Sequence, residues 1–187
     1  MLATAPTPTF LTGALIALRA LTPADVDGPY LGWFNDPEVC RLNSHGVFPY
    51  TRAAARAWVD ALPHRRDALV LAIELRETGG HVGNVSLQAI DPVGRSAELA
   101  IVVGERSAWG RGAGAEAARL IVGHGFRALN LQRIACGTLY GNGAMRRIAE
   151  GLGMTQEGVR RRAAWTDGRY HDVVEYGLLA EEWEEQP

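Results

Sequence analysis

Trp109-Gly110-Arg111-Gly112-Ala113-Gly114-Ala115-Glu116-Ala117 stands where a strand-like run over residues 97–103 gives way to a helical run ending near Leu129. A glycine-rich turn at a helix start leaves several backbone N–H groups without intrahelical partners, beside the positive end of the helix dipole. Such a turn binds phosphate. Glycine permits positive φ and lets an anion approach the main chain closely. A loop that only turns a corner would read the same way in isolation.

Spacing narrows the choice of phosphate ligand. A nucleoside-triphosphate loop needs Gly-x4-Gly-Lys-Ser/Thr, and no such run occurs. Gly110, Gly112 and Ala115 formally match the dinucleotide fingerprint Gly-x-Gly-x-x-Gly/Ala. The acidic residue expected about 20 positions on is missing. That neighbourhood reads Asn130-Leu131-Gln132-Arg133.

Other side chains could move protons. Glu98 lies in the strand before the glycine turn, where alternation puts Glu98, Ala100 and Val102 on one face and Leu99, Ile101 and Val103 on the other. An acid in so apolar a strand is expected to be desolvated, which suits a base; it could equally be a carboxylate on a wet sheet face. Tyr140 ends a later strand, as a proton donor or a cap on the sheet edge. His45 and Tyr50 belong to a polar and aromatic loop over residues 43–50, and His171 and Asp172 to a late hairpin.

The elements that must position these groups can be read from periodicity. A strand is expected over residues 14–20, then helical segments over 24–34 and 51–62, with Thr22 as N-cap and Pro23 in the first turn. Residues 68–75, 81–90 and 97–103 form a meander, with Thr78-Gly79-Gly80 and Asp91-Pro92-Val93-Gly94 as turns. The helix after the glycine turn carries Gly114, Ala115, Ala118, Ile121, Val122, Gly125, Phe126 and Leu129 on one stripe. A strand over residues 133–139 precedes a short helix capped by Asn142 and ended by Gly153. Strands over 158–165 and 170–179 close on Thr166-Asp167-Gly168. The order βααβββαβαββ fits an α/β (α+β) fold, a mixed sheet with helices on both faces.

At 187 residues the chain suits one domain, residues 1–187, with the first dozen expected as a loose tail. A net charge of −2 argues against nucleic acid as a partner, and Arg160-Arg161-Arg162 reads as a solvated strand edge. Cys40 and Cys136 lack metal-ligand spacing; no metal and a cytoplasmic location are expected. The apolar run over residues 11–21 is too short to span a membrane.

The glycine turn resembles the pyrophosphate loop of the GNAT superfamily of acetyl-CoA-dependent N-acetyltransferases, Gln/Arg-x-x-Gly-x-Gly/Ala, with Gly112 and Gly114 at its glycines and Trp109 where Gln or Arg usually sits. Trp followed by Gly and a basic residue resembles the ribosomal-protein N-acetyltransferase branch. Asn142-Gly-Ala-Met-Arg-Arg-Ile-Ala-Glu-Gly-Leu-Gly153-Met154 resembles the family's Asn-x10-Gly-Phe segment, and Trp33-Phe34-Asn35-Asp36-Pro37-Glu38-Val39 that branch's opening helices. The expected fold is therefore GNAT-like, with a mostly antiparallel mixed sheet.

The resemblance implies acetyl-CoA as co-substrate, held by Ile101, Val102, Val103, Trp109, Gly110, Arg111, Gly112, Ala113, Gly114, Ala115, Asn142, Met145 and Arg146. It implies an amine acceptor near Asn35, His45, Tyr50 and His171, with Glu98 as base and Tyr140 as acid. Two departures matter. The family's Tyr seven residues past the asparagine is Ala149 here, and the branch's Ser three residues past it is Met145. The acceptor is then a protein N-terminal α-amine or a small amine such as a nucleotide-linked amino sugar or an antibiotic, for a monomer or homodimer. A catalytically degenerate module that binds acyl-CoA as a sensor is the reading from a different class.

Overall fold

The protein is described by a computed structural model over residues 7–184. Strands β1 (Thr9–Thr12) and β2 (Ile16–Ala20) precede four short or medium helices: α1 (Pro23–Val26), α2 (Tyr30–Trp33), α3 (Pro37–Cys40) and α4 (Arg52–Ala61). Then come β3 (Leu69–Leu75), β4 (His81–Asp91), β5 (Ser96–Val103), α5 (Ala113–Arg127), β6 (Arg133–Leu139), α6 (Gly143–Gly151), β7 (Thr155–Thr166) and β8 (Arg169–Leu179).

All eight strands form one sheet in the order β1-β2-β3-β4-β5-β6-β8-β7. Every pairing is antiparallel except β5 with β6. The mixed, mostly antiparallel sheet read from the sequence is the one observed.

Two cores form, one on each face. On one side Leu18, Ile73, Val85, Leu87, Leu99, Ile134, Val174 and Leu178 pack against Ala117, Ala118, Ile121 and Val122 of α5 and Ala149 of α6. On the other, Ala72 meets Val26, Tyr30, Trp33, Phe34, Val39, Ala55 and Val59 of α1–α4. The alternation along β5 holds: Leu99, Ile101 and Val103 join the α5–α6 core, and Val102 packs against the α1–α4 core.

Three expectations need correction. The initial dozen residues are not all tail: Thr9, Leu11 and Thr12 pair with Arg19, Leu18 and Ala17, and residues 1–6 lie outside the described ones. The helical segment over residues 24–34 is two separate single turns, because Asp27 and Gly28 close α1 and Pro29 starts a new turn. A further short helix, α3, lies past the end expected at residue 34, within the stretch that resembles the branch's opening helices; Asp36 caps it, accepting from Glu38 N at 2.8 Å.

A buried ionic cluster ties α1 to the sheet. Arg19 of β2 holds Asp25 through Nη1 and Nη2 at 2.8 and 2.7 Å, and Glu74 through Nε at 2.7 Å. His81 Nδ1 lies 3.3 Å from Asp25 Oδ1. Burial alone would raise the Asp25 carboxyl, but the facing His81, Arg19 and the Thr22 N–H outweigh it and hold it far below the usual carboxylate range.

Candidate active site

The site begins where two strands separate. Parallel pairing between β5 and β6 stops after Ser96↔Arg133, Ala97↔Ile134 and Glu98↔Ala135. Beyond that point β5 continues to Val103 on β4 alone, and β6 to Leu139 on β8 alone. A fork opens in the middle of the sheet. The main chain along each prong is strand-paired on one side only, leaving hydrogen-bonding capacity directed into the gap.

The glycine loop sits at the mouth of this fork. Gly110 and Gly112 have φ of 71° and 88°. Gly112 is the N-cap of α5, and no side chain caps that end. The first N–H groups of α5 are therefore available to a ligand. Gly114 lets the helix lie close to β5: a Cβ there would come within 3.2 Å of Val103 Cγ2. Trp109 braces the loop, its Nε1–H donating to the Val103 carbonyl at 2.7 Å. Arg111 is an exposed side chain 3.8 Å from Glu77.

Glu116, one turn into α5, does something that the sequence did not suggest. Its carboxylate accepts from the N–H groups of Ala14, Leu15 and Ile16 at 2.6, 2.9 and 2.9 Å. The β1–β2 turn is thereby clipped to the start of α5.

Asn142 caps α6 as its position predicts. Its Oδ1 accepts from Met145 N at 3.1 Å, and its Nδ2 reaches the Leu42 carbonyl at 3.5 Å, joining α6 to the loop after α3. The Met145 side chain packs against the α5–α6 core. Arg146 places its guanidinium 4.9 Å over the Tyr140 ring and its Nε 3.3 Å from the Tyr176 hydroxyl. Between α5 and α6 lies an open groove of about 400 Å³, lined by Ala115, Glu116, Arg119, Arg147, Ile148, Gly151 and Leu152. Arg119 and Arg147 were missed because the cation pair exists only once two helices from separate segments are docked.

Glu98 occupies the apex of the fork, but the buried setting expected of it is absent. It is exposed, because α1–α4 cover the sheet only as far as Val102 at the other end of β5. Its cross-strand neighbours are Gln88 and Ala135. Among the described residues it has no ion-pair partner, whereas Glu175 binds Arg160 Nε at 2.5 Å and Glu157 binds Arg133. Tyr140 is exposed at the end of β6, its N–H bonded to the Asp172 carbonyl.

The residues expected around the acceptor are differently employed. Asn35 donates to the carbonyls of Leu31 and Tyr50 and accepts from Tyr50 N, at 2.9, 2.8 and 2.9 Å, so its amide ties the end of the loop to α2. His45 packs edge-on to Phe34 with centroids 4.6 Å apart, and loss of water around the ring pushes its pKa down. Tyr50 packs on Phe34 and Tyr30, with its hydroxyl 3.4 Å from that of Tyr30. His171 Nε2 lies 3.2 Å from the Thr166 carbonyl inside the β7–β8 hairpin.

Residues 16–155 match the family description "Acetyltransferase (GNAT) domain". The chain belongs to the GNAT acetyltransferase family. It is an acyltransferase, and acetyl-CoA is its co-substrate. Among curated relatives, YdaF of Bacillus subtilis (strain 168), provisionally named a ribosomal N-acetyltransferase, is 34% identical over 106 residues, 57% of each chain. The matched part thus spans little more than half of that relative. Two solved structures share the fold. A spermidine N-acetyltransferase from Vibrio cholerae, in complex with CoA and spermine, has a TM-score of 0.82 at 20% identity over 91% of this chain and 98% of its own. A ribosomal L7/L12 alpha-N-protein acetyltransferase in complex with coenzyme A has a TM-score of 0.80 at 20% identity, over 89% and 95%. Among the described residues no group of His, Cys, Asp and Glu could hold a metal, and no helix is long and apolar enough to cross a membrane.

Proposed function

We propose that this GNAT enzyme acetylates the α-amine of an extended peptide, with the donor in the β5–β6 fork and the acceptor arriving over Glu98. The observation that carries this reading is the single unpaired carboxylate at the fork apex. One exposed acid suits one ammonium. A polyamine with several charges would call for several free acids, and Glu175 and Glu157 are already neutralised by Arg160 and Arg133. The relative named for ribosomal N-acetylation supports the same acceptor class.

The chain's features fit acetyl-CoA, which supplies an acetyl group activated as a thioester. The positive-φ glycines and open N-terminus of α5 would hold its pyrophosphate, the one-sided main chain of β5 its pantetheine arm, and Arg119 and Arg147 its phosphoadenosine end. Trp109, Asn142 and Arg146 brace these parts.

Glu98 accepts a proton from the arriving ammonium, directly or through water, and so frees the nitrogen lone pair. An α-amine has a pKa near 7.7–8.0, so about a tenth is already free base at pH 7. An exposed carboxylate is then base enough; a lysine-like amine, at about 10.4, would demand more. Backbone N–H groups on the free side of β5 are available to a developing oxyanion.

The test is acetyl-CoA turnover against peptides with free N-termini and against spermidine and aminoglycosides, followed as free thiol and by mass. Acetyl gained at a peptide α-amine is the expected result. Preference for spermidine, or binding of acetyl-CoA without turnover of any amine, would replace this reading, the latter by the sensor module.

A further inference from the structure

Five polar side chains are buried among the described residues: Arg19, Asp25, Asn84, Ser86 and Thr138. Four have partners. Arg19 and Asp25 hold each other, Asn84 Oδ1 lies 3.1 Å from His81 Nε2, and Ser86 Oγ accepts from Gln88 Nε2 at 3.0 Å. Thr138 is 7% exposed and no described residue pairs with its hydroxyl. A hydroxyl on a largely buried residue, with no protein partner, is free to bond whatever enters beside it. Nor is this hydroxyl sealed off, for its oxygen is not among the fully enclosed side-chain atoms that lack a hydrogen bond.

Thr138 lies three residues beyond Ala135, where β6 loses β5, or about 10 Å past the apex at roughly 3.3 Å per residue. Ile101 stands at the same depth on β5. Alternation puts both on the α5–α6 face, Thr138 with Ile134, Cys136 and its cross-strand partner Val174. The same face receives the glycine loop, through the approach of Gly114 to Ile101 and Val103. The neighbours Ile101, Val103, Ile134 and Val174 on that face are apolar, so the Thr138 hydroxyl is a side-chain donor set among apolar groups, beside the free main-chain groups of the two prongs.

We infer that Thr138 Oγ1–H donates a hydrogen bond to the sulfur of the coenzyme and steadies the thiolate as it leaves. This rests on the reading that acetyl-CoA occupies the β5–β6 fork. As the amine nitrogen bonds to the acyl carbon, the C–S bond breaks and its electron pair stays on sulfur. The nitrogen's proton goes to Glu98 or solvent. Thr138 keeps its own proton, and solvent later supplies the one that makes the thiol. The arrangement does the work for which Ala149 and Met145 have no donor.

The test needs no acceptor. Coenzyme A bound to the full chain is titrated with pH, and the thiolate is followed by its ultraviolet absorbance relative to the apoprotein. The protein's own thiols stay out of the window, since burial pushes Cys136 up to about 12 and raises Cys40. In Thr138→Val the bound coenzyme thiol should titrate about one unit higher than in the native protein, as loss of a hydrogen bond to a charged group predicts. Thr138→Ser should restore the native value. Calorimetry should give coenzyme affinity within threefold across all three. Equal thiol titration in native and Thr138→Val protein overturns the assignment, as does a tenfold loss of affinity confined to Thr138→Val, which would make the hydroxyl a ground-state binding group. Failure of the native chain to bind coenzyme A would instead overturn the fork reading beneath it.

Discussion

The indole of Trp109 donates to the carbonyl of Val103 across 2.7 Å, so the last residue of β5 and the start of the glycine loop are one mechanical unit. The bond fixes where the open N-terminus of α5 points. Trp109→Phe keeps the ring and removes the donor. A loss of about 1 kcal/mol in stability is expected from one hydrogen bond. Acetyl-CoA affinity measured by calorimetry should fall several-fold. Unchanged affinity in folded protein would mean that the loop holds its shape without the brace.

Asn142 links α6 to the loop after α3 through Met145 N and Leu42 O. Asn142→Ala should cost about 1 kcal/mol through the lost cap, seen as a lower melting temperature. The Michaelis constant for acetyl-CoA should rise in protein still folded at the assay temperature. A melting shift without that rise would confine Asn142 to capping.

Asp25 makes a pH prediction. Its folded-state carboxyl is held below the ordinary range, so its stabilisation is full above the unfolded value of about 3.9 and is lost as pH falls below it. Asp25→Asn leaves Arg19 with Glu74 alone. Denaturant unfolding at neutral pH should show a deficit of about 3 kcal/mol, the low end for breaking a buried pair. The deficit should shrink below about pH 4, where the Asp25 carboxyl of the unfolded chain takes up a proton while the folded one stays ionised. A deficit independent of pH would contradict the pairing.

Glu98→Gln preserves shape and removes basicity. The rate at neutral pH should fall by up to about tenfold, because about a tenth of an α-amine is already free base there. The loss should narrow as pH rises and solvent supplies free amine. A small loss that ignores pH would mean that the acceptor arrives already deprotonated and that Glu98 only lines the sheet.

The parts of this site that the sequence discloses are those determined locally. Gly110 and Gly112 announce positive φ, Asn142 announces a cap, and Asp167-Gly168 announces a hairpin turn, which is realised with φ of 51° and 71°. What stays hidden depends on partners far along the chain. The fork exists only because β6 leaves β5 after three pairs. The exposure of Glu98 follows from how far α1–α4 extend over the sheet. Asn35 and Glu116 look available in the sequence and are spent on Tyr50 and on the β1–β2 turn, the latter about a hundred residues away. Strand periodicity located Glu98 on its face but carried no information about what covers it.

The proposed donor site at the glycine loop and the proposed acceptor site over Glu98 lie on different faces of the sheet, and one calorimetric series tests that separation directly. Acetyl-CoA is titrated into the native protein, Gly112→Val and Glu98→Gln. At a φ of 88° a β-branched residue is strained, so the loop must move. The prediction is binding by the native chain, at least tenfold weaker binding by Gly112→Val, or about 1.4 kcal/mol, and affinity within twofold for Glu98→Gln. Undiminished binding by a folded Gly112→Val, or a large loss in Glu98→Gln alone, would contradict it.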